Sequence, residues 1–213
     1  MRGEDVNLLF LIICIGYLLG CLHGSQIVGR YKKINIKKSG MKNSGASNAT
    51  LLLGWKYGLI VAIVDVGKAV LSLLLTIHVL QYFQVIDELF IVYLLLNGLF
   101  VIIGHNYPLT MNFNGGKGTA SFFGVLLFFN WKLAIISLCI ALIFSFISNY
   151  FVVGTLTGYI VFNIYVGMLH TKGPILLSLL FTLLFFVKHS ENFKRIMNNE
   201  EVKLRAFFRK EAS

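Results

Sequence analysis

The sequence predicts an all-α polytopic membrane protein of about seven transmembrane helices, and three observations predict it. The 213 residues are 57% hydrophobic and 13% charged, with a mean hydropathy of +0.78, whereas soluble domains carry about a quarter charged residues. The apolar residues fall into long runs, the pattern of helices of about 20 residues that cross a hydrocarbon layer at about 1.5 Å per residue. The positive charge is gathered into a few of the breaks between runs. No polar stretch is long enough to bury a core of its own, so one membrane-embedded domain, residues 1–213, is expected.

The first run, Leu8–Val28, follows a start carrying Arg2, Glu4 and Asp5 and lacks a small-x-small cleavage pattern, so it reads as a span and not as a removed leader. The runs Leu51–Leu80, Phe90–Ile103, Thr119–Phe129, Leu133–Ile147, Tyr150–Leu169 and Pro174–Val187 follow. The fourth, fifth and seventh are shorter than a full crossing; tilting, extension by flanking polar residues or re-entry would accommodate them. Between the runs lie a basic loop (30–50), an acidic turn at Asp87-Glu88, a polar loop (104–118), and tight breaks at Trp131-Lys132, Ser148-Asn149 and Thr171-Lys172-Gly173. No internal repeat is visible, which weighs against inverted-repeat transporter architectures.

The formal net charge is +10. Arg30, Lys32, Lys33, Lys37, Lys38 and Lys42 share one loop without an acid, and Lys188, Lys194, Arg195, Lys203, Arg205, Arg209 and Lys210 follow the last run, in a basic tail over 188–213. The positive-inside rule makes both stretches cytoplasmic, with the N-terminus outside and the C-terminus inside. The 104–118 loop then shares their side. Anionic lipid and anionic substrates are the natural partners, and nucleic acid is not. Cys14, Cys21 and Cys139 sit inside apolar runs and form neither a disulfide framework nor a metal spacing. No cluster offers two carboxylate or histidine ligands at workable spacing, so no metal is expected.

Three polar clusters can carry chemistry. Asn114-Gly115-Gly116-Lys117-Gly118-Thr119 joins glycines and a lysine to a helix start, where converging N–H groups, the helix N-terminus and the Lys117 charge would hold a phosphate. It does not match the Walker pattern, and glycines here also fit a plain turn. Asn43-Ser44-Gly45-Ala46-Ser47-Asn48-Ala49-Thr50 repeats the arrangement after the basic loop; the plainer alternative is a solvated loop with a helix cap. His189 and Asn192, three apart, share a helix face that Arg195 continues. Histidine is the side chain that switches charge near neutrality, although His23, His78, His105, His170 and His189 each also fit structural roles. Asp65 and Lys68 lie inside an apolar run, where they must pair at i, i+3 or face a water-filled cavity.

Taken together, these residues resemble the bacterial membrane-bound acyl-phosphate:glycerol-3-phosphate acyltransferases over nearly the whole chain. The family's motifs appear as Gly24-Ser25 with Lys37-Lys38-x-Gly40-x-x-Asn43-x-Gly45-Ala46-Ser47-Asn48, as Gly104-His105-Asn106-Tyr107-Pro108 running to Gly115-Gly116-Lys117-Gly118-Thr119-Ala120-Ser121, and as His189-x-x-Asn192-x-x-Arg195 with Glu201-x-Lys203. Asp65-x-x-Lys68 also matches. The resemblance implies a multi-pass cell-membrane enzyme of about seven helices, with its active site facing the cytoplasm. It would transfer a fatty acyl group from acyl phosphate to the 1-hydroxyl of glycerol 3-phosphate, giving lysophosphatidic acid without a cofactor, in the first step of phospholipid synthesis.

The resemblance implies catalysis by Ser25, His189 and Asn192. It implies substrate binding by Lys37, Asn43, Gly45, Ser47, Asn48, His105, Asn106, Gly115, Gly116, Lys117, Gly118 and Arg195, and structural roles for Asp65, Lys68 and Glu201. The chain departs from the family pattern at Ile27, Lys37, Met41, Leu51 and Val152. Lysine for arginine at position 37 loses bidentate phosphate recognition.

Acyl phosphate brings its own good leaving group. The protein must supply proximity, charge neutralisation on two phosphates and a proton acceptor. His189 either takes the proton or orients a substrate phosphate that does. No nucleophile with an adjacent base is visible, which favours direct transfer over an acyl-enzyme. His-x-x-x-x-Asp, the signature of another acyltransferase class, is absent after all five histidines. Two other readings remain: a small-anion transporter, suggested by Asp65 and Lys68, and a non-catalytic relative, suggested by the departures.

Overall fold

Away from water a backbone must satisfy its own hydrogen bonds, and the apolar runs accordingly fold as helices. The computed structural model describes residues 3–169 and 172–206, the side chains of residues 3–5, 87 and 88 aside. Arg2, His170, Thr171, Arg209 and Lys210 lie outside the described residues. The helices are α1 (Gly3–Gly20), α2 (Gly24–Lys32), α3 (Ala46–Leu53), α4 (Trp55–Tyr82), α5 (Asp87–Asn106), α6 (Thr119–Phe129), α7 (Trp131–Ser148), α8 (Phe151–Leu169) and α9 (Lys172–Met197), with 3-10 turns at Ile36–Lys38 and Leu109–Met111. No strand occurs among the described residues.

Among the described residues, six segments are long and apolar enough to cross a membrane: Val6–Lys32, Trp55–Tyr82, Leu89–Met111, Trp131–Ser148, Phe151–Leu169 and Lys172–Met197. The fourth expected run, α6, has 11 residues and is about 16 Å long, half a hydrocarbon thickness. Two other runs are broken. Leu51–Leu80 divides at Gly54, whose φ of +87° suits a residue without Cβ. Leu8–Val28 divides at Cys21–His23, where α1 stops and α2 restarts.

The second break is made tolerable by side chains. Lys68 Nζ donates to the carbonyls of Gly20 (3.0 Å) and Leu22 (2.5 Å). Thr110 Oγ1 donates to the Cys21 carbonyl (3.2 Å), and His23 Nδ1 lies 3.0 Å from the same oxygen. Asp65 Oδ1, 3.1 Å from Lys68, accepts the Gly24 N–H at 3.3 Å. The ion pair on α4 thus places its cation on the carbonyl end of α1 and its anion on the amide end of α2, matching both helix dipoles.

Because lipid is as apolar as a side chain, helices here are held by close packing. Gly16 and Gly20, four apart on α1, lie against α5: a Cβ on Gly16 would meet the Asn97 carbonyl at 2.6 Å, and one on Gly104 would stand 3.0 Å from Gly20 Cα. Beneath the polar loops, Phe122 of α6 stacks on Tyr159 of α8 (3.7 Å between ring centres) and meets Phe162 edge-on. Tyr159 meets Phe185 of α9, on which the His189 ring stacks at 4.3 Å. An aromatic column therefore runs from the core to the polar end of α9.

Gly104→Leu is expected to force α1 from α5 and to destabilise the protein by about 1–3 kcal/mol or more. Gly167→Ala, where an added Cβ meets nothing within 4 Å, is expected to leave the unfolding temperature in detergent nearly unchanged. Intrinsic fluorescence during heating reads both.

Candidate active site

Loop 107–118 folds back under α5, and its glycines are there to let it. Gly115 N–H donates to the Asn106 carbonyl (3.1 Å) and Gly116 N–H to the His105 carbonyl (3.0 Å). A Cβ on Gly116 would strike the His105 ring and stand 2.9 Å from Ser44 Oγ, and Gly118 is left-handed at φ +80°. This corrects the expected nest: the Gly115 and Gly116 amides are spent within the protein. Anion-binding capacity resides instead in Lys117 and in the first turn of α6, whose Thr119, Ala120 and Ser121 amides have no acceptor among the described residues.

Lys117 Nζ donates to Asn192 Oδ1 at 2.5 Å, Asn192 Nδ2 donates to Glu201 Oε1 at 2.6 Å, and Arg195 Nε donates to Glu201 Oε2 at 2.7 Å. Glu201 accepts only, so it fixes the Asn192 amide with its oxygen toward Lys117. Burial is the main reason that the Lys117 ammonium is held down to about 8. His189, one turn before Asn192, is buried and directs Nδ1 at the Phe185 carbonyl (3.0 Å). A carbonyl can only accept, so Nδ1 carries the proton and Nε2 keeps its lone pair.

Lys117, His189, Asn192 and Glu201 face one cavity of about 570 Å³. Its polar end is formed by Asn43, Gly45, Ser47, Asp65, His105, Lys117, Gly118, His189, Asn192 and Glu201. Its other end is apolar, with Phe123 and Leu127 of α6 and Ala134, Ile135 and Leu138 of α7, and Phe151 and Val152 of α8 also line it. Leu127, Ile135 and Leu138 are exposed, so this end opens on the surface that lipid would cover.

Other expected site residues stand elsewhere. Ser25 and Lys37 line a second cavity of about 950 Å³ together with Arg30, Lys33, Lys38 and Lys42. Lys37 donates to Asn114 Oδ1 (2.6 Å), to the Gly115 carbonyl (3.0 Å) and to the Asn114 carbonyl; burial and the nearby Lys188 hold it down to about 8. Asn48 lines neither cavity. Its Nδ2 reaches the carbonyls of Ile36, Ser39 and Asn43, and its Oδ1 accepts from Met41 N, so it organises the basic loop. Asn106, Gly115, Gly116 and Arg195 also line neither cavity.

The sequence reasoning left His23 and Asn149 unassigned. His23 stacks on His105 (4.5 Å) and lies within hydrogen-bond distance of two carbonyls. Asn149, left-handed at φ +65°, receives the Leu204 and Arg205 amides at 2.8 and 2.9 Å and holds the tail against the cavity. The asparagine in the short Ser148-Asn149 break was the available signal for a left-handed position.

An all-helical membrane protein with one cavity that is cationic at its head and apolar along its length is built to bring a phosphate group and an alkyl chain together. Residues 10–199 match the family model described as Glycerol-3-phosphate acyltransferase. Glycerol-3-phosphate acyltransferase 1 of Oceanobacillus iheyensis is 46% identical over 93% of this chain and 96% of its own length. Its namesake from Bacillus subtilis is 32% identical over 93% and 98%. The chain belongs to the glycerol-3-phosphate acyltransferase family. The crystal structure of PlsY (YgiH), an integral membrane glycerol 3-phosphate acyltransferase, in its glycerol 3-phosphate form shares the fold at a TM-score of 0.80 and 24% identity, over 92% of this chain and 94% of that one. Its lysophosphatidic acid form matches equally well, over 94% and 98%.

Binding of inorganic phosphate should follow the Lys117 charge, present below about pH 8 and lost above it. Affinity measured by calorimetry is expected to fall about tenfold from pH 7 to 9, as the charged fraction of a group titrating at about 8 does, and Lys117→Ala should abolish that dependence.

Proposed function

We propose that the protein transfers the acyl group of acyl phosphate to the 1-hydroxyl of glycerol 3-phosphate, releasing lysophosphatidic acid and inorganic phosphate. The observation that carries this reading is the continuity of the Lys117, His189 and Asn192 end of the cavity with an apolar wall open to lipid. Its relatives from Oceanobacillus iheyensis and Bacillus subtilis are glycerol-3-phosphate acyltransferases by name.

Lys117 and the first turn of α6 hold a phosphate. The acyl chain lies along Phe123, Leu127, Ala134 and Leu138. His189 Nε2 accepts the hydrogen bond of the 1-hydroxyl and turns its oxygen toward the carbonyl carbon. The new ester C–O bond forms as the C–O bond to phosphate breaks, and the leaving phosphate carries off that electron pair. The hydroxyl proton passes to a phosphate oxygen. Asn192, fixed by Glu201, orients Lys117. Ser25 and Lys37 serve the acceptor's approach through the basic cavity, and Val152 puts an apolar surface where the family tends to have a serine.

We assign one membrane-embedded domain that crosses the cell membrane seven times, α6 being a short crossing, with the N-terminus outside and the active site and C-terminus cytoplasmic. The cations around loop 30–50 and at the end of α9 support this orientation.

Purified protein in detergent, given acyl phosphate and glycerol 3-phosphate, should form lysophosphatidic acid and phosphate in equal amounts. Lys117→Ala and His189→Ala should each slow it by about 10²- to 10⁴-fold; no product from the unaltered protein would refute the reading. For orientation, cysteines placed at the exposed positions Asn112 and Lys203 should react with an impermeant reagent in inverted vesicles, and one at Tyr82 should react in intact cells.

A further inference from the structure

The Asp65–Lys68 pair does more than close the gap between α1 and α2. His105 is buried at 3% exposure, and its Nδ1 lies 2.8 Å from Lys68 Nζ. A lysine ammonium has three donors and no acceptor. Its three protons serve four neighbours, the Gly20 and Leu22 carbonyls, Asp65 and Nδ1, so one of them is shared; because an ammonium cannot accept, Nδ1 meets it with a lone pair. The ring proton of neutral His105 is therefore on Nε2. Asp65 Oδ1, 3.7 Å from Nδ1, reinforces Lys68 without replacing it.

His105 lines the same cavity as Lys117 and His189. Gly116 lies against the Nε2 edge, where a Cβ would collide with the ring, so only glycine leaves room for a further group at Nε2. Nearby, Ser44 Oγ is buried without a hydrogen-bond partner among the described residues, as expected where a polar ligand group or a water completes the site. The face of the ring is covered by His23 at 4.5 Å, which holds its plane.

We infer that Lys68 is a positioning residue that locks His105 into its Nε2–H tautomer, so that His105 donates Nε2–H to the acyl phosphate oxygen on which negative charge grows. That oxygen is either the carbonyl oxygen, as the tetrahedral centre forms, or a phosphoryl oxygen of the leaving group. This inference rests on the proposed reaction and adds a named donor to it. His105 and His189 then have opposite duties set by their partners: the backbone carbonyl at His189 Nδ1 makes its Nε2 an acceptor, and the ammonium at His105 Nδ1 makes its Nε2 a donor. Donors preorganised at developing charge are commonly the largest catalytic contribution.

The test separates tautomer from turnover. Nitrogen-15 spectra of the histidines in the unaltered protein should show His105 protonated on Nε2 and bare on Nδ1; an Nδ1–H ring or an imidazolium at pH 7 would overturn the inference whether or not the protein is active. His105→Gln carries its amide to the Nε2 position and should lose less than about tenfold in rate. His105→Asn carries it only to the Nδ1 position, keeps the contact with Lys68, and should lose about 10² to 10³. A purely structural histidine would reverse that order, which would sink the proposal. A fall in kcat at constant KM assigns the carbonyl oxygen, and a rise in KM assigns the phosphoryl oxygen. Asp65→Asn with Lys68→Met removes both charges and leaves neither buried alone; in that variant His105 should populate both tautomers and turnover should fall although phosphate still binds. Undiminished turnover with phosphate binding intact would refute the role of Lys68. Absence of acyl transfer by the unaltered protein would count against the proposed reaction and leave the spectroscopic result standing.

Discussion

A helix interrupted at membrane depth exposes carbonyls at one side of the gap and amides at the other, and no water is there to receive them. Asp65 and Lys68 meet this demand for the gap at Cys21–His23. The cation lies on the carbonyls and the anion on the first amide of α2. Charges buried in this way are costly singly and tolerable as a pair that also hydrogen-bonds. Here the pair has polar work on both sides, which two apolar side chains of similar size would leave undone. Moving either helix end would strand the pair, so α1, α2 and α4 are held in one arrangement. Thr110 and His105, which reach the same gap from the other side, bring in α5 and the glycine loop.

How far the chain could be read in advance follows from which interactions are local. The apolar runs marked the helices because each helix satisfies its own backbone. The break at Gly54 also had a local sign, a lone glycine between Leu53 and Trp55. The gap at Cys21–His23 had none in its own residues, since what stabilises it is a lysine more than forty residues later. The same distinction divides the site. Spacing alone put His189 and Asn192 on one face, and the three motifs together brought Lys117 to that face. Asn43 and Asn48 are chemically alike and five apart, yet one lines the cavity and the other is consumed by the loop. Only the folded backbone decides which carbonyls an asparagine finds. The glycines of 115–118 misled for a related reason: the sequence shows that side chains are absent, and not whether the amides so uncovered face a ligand or a carbonyl.

The two cavities divide the positive charge between them. The larger one is rimmed by cations on short, exposed elements and suits the capture of anions from solution. The smaller has one half-buried lysine and a helix start at its head, followed by alkyl and aromatic walls. A small dianion and an amphiphile differ in just this respect, since only the amphiphile has an apolar part to place. Lys37 and Asn114, which line the larger cavity, are joined by hydrogen bonds that reach Gly115, contacts that a phosphate can replace.

The tail completes the head of the smaller cavity. Asn149 takes the Leu204 and Arg205 amides and brings Glu201 and Val202 to the cavity wall. An acid this close to the proposed phosphate site would ordinarily oppose anion binding. Glu201 does not bind Lys117 directly, because Arg195 and the Asn192 amide occupy its two oxygens. The neutral amide stands between carboxylate and ammonium and passes on orientation without cancelling charge. Lys117 is thus held in place by a carbonyl oxygen, a weaker partner than a phosphate dianion. An incoming phosphate can replace that contact, and Asn192 stays fixed by Glu201 when it does. The arrangement therefore keeps the cation ready without neutralising it, which an ion pair with Glu201 at the same position would not do.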